Sequence, residues 1–385
     1  MPSTSKTKNK EKINQKPLDF ILCITVFLLL ALGIIMVLSA SAPSALSVYG
    51  NSYYYVARQA GFAIVGIILM FIISKIDYRI YKKLYKIAYW ASLIVLALVV
   101  LPGIGSGAKG ATRWINLGFV SFQPSEIAKI GLIIFYAGYL SEHRTELGTF
   151  KEGFVKPLLY LVPPLIILFF LQDHLSACII IVVIIAIMML MAGSRLKYFL
   201  TAGVSLGCAG LAGMLILAQS TGKGDFRLAR LTTFLNPWAD ATGDGWQVIQ
   251  GLYAIGSGGL FGVGLGESKQ KYLYIPEPHN DFIFAVLAEE LGFIGCVAVI
   301  ALFAVFIWRG ALTAMKAKDC FGSLLAVGIT SLIGVQAIMN IAVVTSSMPA
   351  TGISLPFLSY GGTALVILLC CVGILLNISR SSSKV

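Results

Sequence analysis

The chain has 385 residues, 58% of them hydrophobic and 12% charged, with a mean hydropathy of +0.87 and a formal net charge of +12. A soluble domain carries about 25% charged residues, so a soluble enzyme, a disordered chain and a secreted disulfide scaffold are excluded. The apolar runs are continuous rather than alternating, which also argues against a transmembrane β-barrel.

In chain order, residues 1–17 form a basic tail with Lys6, Lys8, Lys10, Lys12 and Lys16. The first apolar run is Leu18–Ala40. Its small-residue end, Ser39-Ala40-Ser41-Ala42, imitates a signal-peptidase site. The run exceeds the roughly 7–15 apolar residues of a signal peptide, so it reads as an uncleaved span. Further runs are Val56–Ile73, Leu84–Leu101, Pro124–Leu140, Phe154–Leu171, Leu175–Ala192, Tyr198–Leu217, Phe282–Trp308, Phe321–Val344 and Tyr360–Ile378. A membrane helix needs about 20 apolar residues. The expected fold is therefore an all-α polytopic membrane protein with ten transmembrane helices.

If the N-terminus is inside and the runs alternate, the inner segments hold 20 of the 29 Lys and Arg residues, and the outer segments hold eight. That asymmetry predicts cytoplasmic termini, with 379–385 as the second tail. It also makes most of the positive charge topological, so no nucleic-acid partner is expected. The seven Cys form no CxxC pair, and the three His are scattered, which argues against a structural zinc site.

The outer side carries the unusual segments: Pro102–Gln123, Thr345–Ser359, and a long loop at 218–281. Loops longer than about 15 residues are usually functional or disordered. These contain Trp, Phe and Gly, and so read as ordered and functional. In the first, Arg113 and Trp114 precede a span opened by Pro124, a residue suited to a first helical turn. Glu126 and Lys129 stand three apart and so share one helix face. A charged pair just inside a membrane is either a structural ion pair or a polar wall for an anionic headgroup. Gly256–Gly266 does not match GxGxxG, and its glycines suit close backbone packing. Asp281 stands where the long loop enters the eighth span. There it is either a helix N-cap or a general base whose pKa is raised by the low dielectric. Glu289 and Glu290 lie deeper, as partners for Lys129 or faces of a polar cavity.

These stretches resemble the SEDS (shape, elongation, division and sporulation) family. The resemblance rests on RWINLG at 113–118, QPSEIAK at 123–129, GSGGLFGVGLG at 256–266, YIPEPHNDFIFAVLAEELG at 274–292 and MPATGISLPFLSYGGT at 348–363. It covers the chain from Leu18 onward. The resemblance implies a ten-helix domain over 18–378 in the bacterial cytoplasmic membrane. It implies a peptidoglycan glycosyltransferase that polymerises lipid II at the outer face beside a class B penicillin-binding protein. The partners would be divisome, elongasome or spore-cortex proteins. MPATGISLPFLSYGGT and Ala229–Trp238 lean towards division or sporulation.

By the same resemblance, Asp281 is the essential acid of the H-x-D-F segment. The resemblance also matches Arg113 and Trp114, and Glu126 and Lys129, to site positions of the family; with Lys271 and His279 these are expected to contact substrate, and Asp173, His174, Glu289 and Glu290 to support them. Arg113, Lys129 and Lys271 are the expected cations for the pyrophosphate leaving group, with Mg²⁺ or Mn²⁺ as a candidate helper. No nucleotide or organic cofactor is implied. One departure stands out: many members carry Q-P-D-x-G-T after the fifth span. Here Gln172-Asp173-His174-Leu175-Ser176-Ala177 puts His174 at the family's Asp position. A lipid II flippase and a non-catalytic scaffold are the rival readings.

Overall fold

The computed structural model describes residues 18–99, 101, 105–108, 111–116, 121–201, 203, 233–243 and 245–381. Helix α1 (Phe20–Tyr49) is capped by Asp19, whose carboxylate accepts from Leu22 N at 3.1 Å, and ends at Gly50 in the left-handed region. It runs nine residues past the expected end and through Pro43. α2 (Tyr54–Ile73) and α3 (Arg79–Leu98) follow. Then comes α4 (Pro124–Glu142), with Pro124 in its first turn as the sequence predicts. α5 occupies Lys151–Leu171 with a π-turn at each end, and α6 is Leu175–Ala192. A helix opens at 196, but most of the seventh expected span, 198–217, lies outside the described residues.

Two expectations about the outer segments change. The first contains a small antiparallel sheet in an otherwise helical protein. Its strands are β1 (Gly105–Ala108), β2 (Ala111–Asn116) and β3 (Ser121–Phe122), in that order. Ile115 pairs with Phe122, and a bulge interrupts β1. The long 218–281 segment is not all loop, because its described part holds a 3-10 turn (Pro237–Asp240) and a helix, α7 (Trp246–Gly258). The chain finishes with α8 (Ile283–Met315), α9 (Cys320–Val344) and α10 (Gly362–Ser381). α10 extends three residues into the expected C-terminal tail.

Seven described helices (α1, α2, α5, α6, α8, α9 and α10) are long and apolar enough to cross a membrane. α3 and α4 have similar lengths. However, α3 carries Arg79, Lys82, Lys83 and Lys86, and α4 carries Glu126 and Lys129. They pack on each other, and α4 packs on α6 and α9, while α2 lies against α10 and α1 against α8. The outward faces are apolar, as at Ile64, Ile68 and Ile72 of α2 and Leu159, Val162 and Phe170 of α5. Such a face suits lipid rather than water.

α8 is broken at Gly292 (φ 66°, ψ −166°), which frees helical carbonyls and N–H groups around it. The glycine-rich stretch closes the gap. Val263 N and Gly264 N donate to Glu289 O and Glu290 O at 2.9 and 3.1 Å, and Phe293 N and Ile294 N donate to Gly259 O and Leu260 O at 2.9 and 3.2 Å. A Cβ on Gly262 would lie 2.1 Å from Glu290 O, and one on Gly292 would lie 2.3 Å from Gly262 N, so neither position accepts a side chain. The motif is close-packing backbone, as its composition predicts.

Candidate active site

At one end of the bundle a half-open chamber of about 590 Å³ gathers most of the predicted site. Several parts of the chain, distant in sequence, meet there. The β2 strand brings Arg113 and Trp114, the first turns of α4 bring Glu126 and Lys129, the α5–α6 junction brings His174, and the approach to α8 brings Asp281. Residues 352–354 and 360–364 of the last motif complete the wall.

Glu126 and Lys129 form the expected i,i+3 ion pair at 2.8 Å, with both side chains buried. Arg113 crosses to the α5–α6 junction, where its guanidinium donates to the backbone carbonyls of Gln172 and Asp173. Asp173 itself takes a positive φ of 48°. His174 is buried, and its Nδ1 has no hydrogen-bond partner among the described residues. Burial, then the charges of Arg113 and Lys129, hold its pKa down near about 3. It is therefore a neutral imidazole at physiological pH. Lys129 takes its acid from Glu126, one turn away on the same helix, while His174 stands at the position where the resemblance puts an Asp.

Asp281 faces the chamber, and it does not cap α8. The N-cap position is Phe282, and no side-chain cap bond forms there. Burial raises its carboxyl to about 6 and Glu277 adds to the rise, while the N–H groups of Asp281 and Phe282 oppose it. Its backbone is fixed by Asn340, whose buried amide donates to Asp281 O at 2.7 Å and Ile353 O at 2.6 Å. One side chain thus ties the acid to the 348–363 motif. Gln59 holds the same motif from α2, through Ser359 O at 3.2 Å and Gly361 N at 3.3 Å.

The structure places four predicted site residues, Lys271, His279, Glu289 and Glu290, away from the chamber wall. Lys271 does not line the chamber. Its ammonium is buried on Glu290 at 2.9 Å, Ser39 Oγ at 2.9 Å and Gly266 O at 2.6 Å. Glu290 is thus the partner of Lys271, not of Lys129. Glu289 accepts from Ser268 Oγ at 2.5 Å and Lys269 N at 2.9 Å, so neither acid faces the cavity. His279 is buried in an aromatic nest, 4.3 Å from the Tyr55 ring centroid and 5.7 Å from that of Tyr360, and burial lowers its pKa to about 4. It is a packing residue whose carbonyl also receives Tyr360 N at 2.8 Å.

The chamber includes residues the sequence reading did not single out. Arg58 stands over the Tyr54 ring at 4.6 Å, and Gln336, buried on α9, leaves Oε1 without a hydrogen-bond partner among the described residues. Arg58 lies two residues inside an expected apolar span, which was the available signal. Gln336 gave none. Among the described residues no three His, Cys, Asp or Glu side chains gather into a metal cage. A divalent ion would need ligand oxygens for most of its shell.

A polytopic helical membrane protein with a charged chamber at one end of the bundle is the class these observations define. The chain belongs to the FtsW/RodA/SpoVE family, whose model, described as "Cell cycle protein", matches residues 20–384. It is a multi-pass protein of the bacterial cytoplasmic membrane. It is 44% identical to Stage V sporulation protein E of Bacillus subtilis over 364 residues, covering 94% of this chain and 97% of that protein. It is 40% identical to a "Probable peptidoglycan glycosyltransferase FtsW" of a Geobacter species, covering 94% and 96%. A solved structure described as "Structural coordination of polymerization and crosslinking by a peptidoglycan synthase complex" matches with TM-score 0.78 at 28% identity, covering 94% of this chain and 98% of that one. The rod shape determining protein RodA of Thermus thermophilus matches with TM-score 0.68 at 26% identity, covering 95% and 98%.

Proposed function

We propose that the protein is a peptidoglycan glycosyltransferase of division or sporulation, polymerising lipid II in the chamber around Asp281. The observation that carries this reading is a carboxyl raised to about 6 in the same chamber as Arg58, Arg113 and Lys129. A base near neutral pKa beside cations suits hydroxyl activation and departure of a pyrophosphate. Asp281 removes the proton of the acceptor GlcNAc 4-hydroxyl. The oxygen attacks the donor anomeric carbon from the face opposite its leaving group, forming the new glycosidic bond with inversion. The bond from that carbon to the undecaprenyl pyrophosphate oxygen breaks, and the proton rests on Asp281. Arg113 and Arg58 meet the charge that develops on the pyrophosphate, Lys129 is held by Glu126 at the wall, and Trp114 offers an aromatic face to the sugars. Mg²⁺ or Mn²⁺, held mainly by the pyrophosphate oxygens with a wall carboxylate, would supply further charge neutralisation there.

The reading includes ten spans, with 1–17 and 379–385 as cytoplasmic tails, 18–378 as the membrane domain and 218–281 on the outside. Seven apolar helices, the paired α3 and α4, and the apolar run at 198–217 support that number. A class B penicillin-binding protein would be the cross-linking partner, consistent with a structural relative that comes from a synthase complex. The test is labelled lipid II supplied to the purified protein. Polymer forms with the wild type and not with Asp281→Asn. Polymerisation undiminished by that substitution overturns the assignment. Headgroup translocation without chain growth points to a flippase.

A further inference from the structure

α3 carries a basic stripe at the end of the bundle away from the chamber, denser than topology requires. Arg79, Lys82, Lys83 and Lys86 follow i, i+3, i+4, i+7 spacing and so form one stripe. Two like-charged i,i+4 pairs, Arg79 with Lys83 and Lys82 with Lys86, repel each other on a bare helix. All four line a cavity of about 630 Å³. Two carboxylates also line it, and both are committed. Asp319 caps α9 through Gly322 N at 2.7 Å and accepts from Tyr78 Oη at 2.6 Å and Arg79 Nε at 3.4 Å. Glu142 accepts from Tyr85 Oη at 2.6 Å. Among the described residues Lys82, Lys83 and Lys86 make no ion pair, and four cations face two engaged acids.

The position of the pocket indicates what approaches it. α4 has Glu126 in the chamber at one end and Glu142 in this pocket at the other. At 1.5 Å per residue that separation is about 24 Å along the helix, close to the roughly 30 Å hydrocarbon thickness. Beside the basic stripe, Ile80, Leu84 and Ile87 are exposed. They make an apolar track that runs from the cavity along the lipid-facing side of α3. The opposite face, Tyr85, Tyr89, Ser92 and Leu96, is buried. A ligand that reaches the pocket along that track has an anionic head and an apolar tail.

We propose that this pocket binds the phosphate headgroup of an anionic phospholipid, whose chains lie on the Ile80–Leu84–Ile87 track. The site is separate from the Asp281 chamber, and its occupancy does not depend on catalysis. Basic pockets between membrane helices at the cytoplasmic level commonly recognise such headgroups. The test uses the full-length protein in nanodiscs or detergent, with phosphatidylglycerol as probe, phosphatidylcholine as the neutral lipid and inorganic phosphate as the free-anion arm. The triple variant K82Q/K83Q/K86Q is expected to bind phosphatidylglycerol at least tenfold more weakly, with unchanged melting in phosphatidylcholine. If the triple variant melts early, Lys83→Gln alone is expected to weaken binding about threefold. Equal affinity of wild type and variant overturns the proposal. So does competition by inorganic phosphate at the lipid's own concentration, or an equal loss in the charge-matched control K151Q/R195Q/K197Q.

Discussion

Two places in this protein bury charge near the outer-loop segments, and they are finished differently. In the knot around Glu289 and Glu290, Lys271, Ser268, Ser39 and the 268–270 backbone are arranged so that carboxylates meet donors on several sides. In the chamber, His174 and Gln336 keep an unpartnered buried atom among the described residues, and the Asp281 carboxyl is raised to about 6. Glu290 Oε2 has no hydrogen-bond partner among the described residues, but both carboxylates of the knot meet a cation or several donors, and buried charge paired in that way fixes a structure. Buried charge left partly open to a cavity is available to a ligand. The knot also explains how the 259–274 segment is held against the broken α8, and so how Asp281 reaches the chamber mouth.

The contrast can be broken by substitution. The largest effect is expected from Asp281→Asn, which should lower lipid II polymerisation by about 10²–10⁴-fold, the usual range for loss of a general base. The same variant should melt no lower than wild type. Above pH 6 the native carboxylate is ionised in a setting that penalises its charge, and the amide removes a penalty on the order of 3 kcal/mol. The sign follows from the raised pKa. Between about pH 4 and pH 6 the unfolded chain ionises this group and the folded chain does not, so its contribution to stability declines as pH rises through that window.

The knot should behave in the opposite sense. Lys271→Met strands Glu290 and is expected to destabilise the fold by about 3–5 kcal/mol, seen as early thermal unfolding. Replacing both partners, as Lys271→Met with Glu290→Leu, should recover much of that loss. Were the single variant to keep full stability but lose polymerisation, the knot would belong to the site after all.

Smaller effects are expected at the chamber wall. Arg113→Ala should reduce kcat by about 10–100-fold, less than loss of the base, because Arg58 remains to meet the leaving group. Asn340→Ala should cost about tenfold through a mispositioned Asp281 and shift the acid limb of the pH profile, which a wholly structural role would leave in place. That limb, in the wild type, should lie near pH 6, with activity rising as Asp281 ionises. The smallest change is expected for His174→Asp. Lys129 already has Glu126, so polymerisation should stay within about threefold of wild type.

Much of this was legible along the chain. Leu175–Ala192 is the same helix in sequence and in structure, because an uninterrupted apolar run bounded by His174 and Gly193 has few alternatives. Glu126 and Lys129 were readable as one face because α-helical geometry fixes i,i+3 neighbours. The β-sheet at 105–122 was not readable, since Gly- and Ala-rich strands show no alternation. Lys271 was misplaced for a related reason. Its charge and its outer-loop position suited a pyrophosphate, but its partners come from α1 and α8, far away in sequence.

Sequence alone determined the membrane class, most of the spans, and which outer segments are unusual. Those follow from transfer free energy and helical periodicity, which are local properties of a chain. Only the tertiary structure decided which charges are spent. Lys129, Lys271 and Arg113 look alike as cations near the outer side. Packing gives the first an acid one turn away on its own helix and the second an acid on α8. It sets the third on the backbone of the α5–α6 junction, at the wall of the chamber.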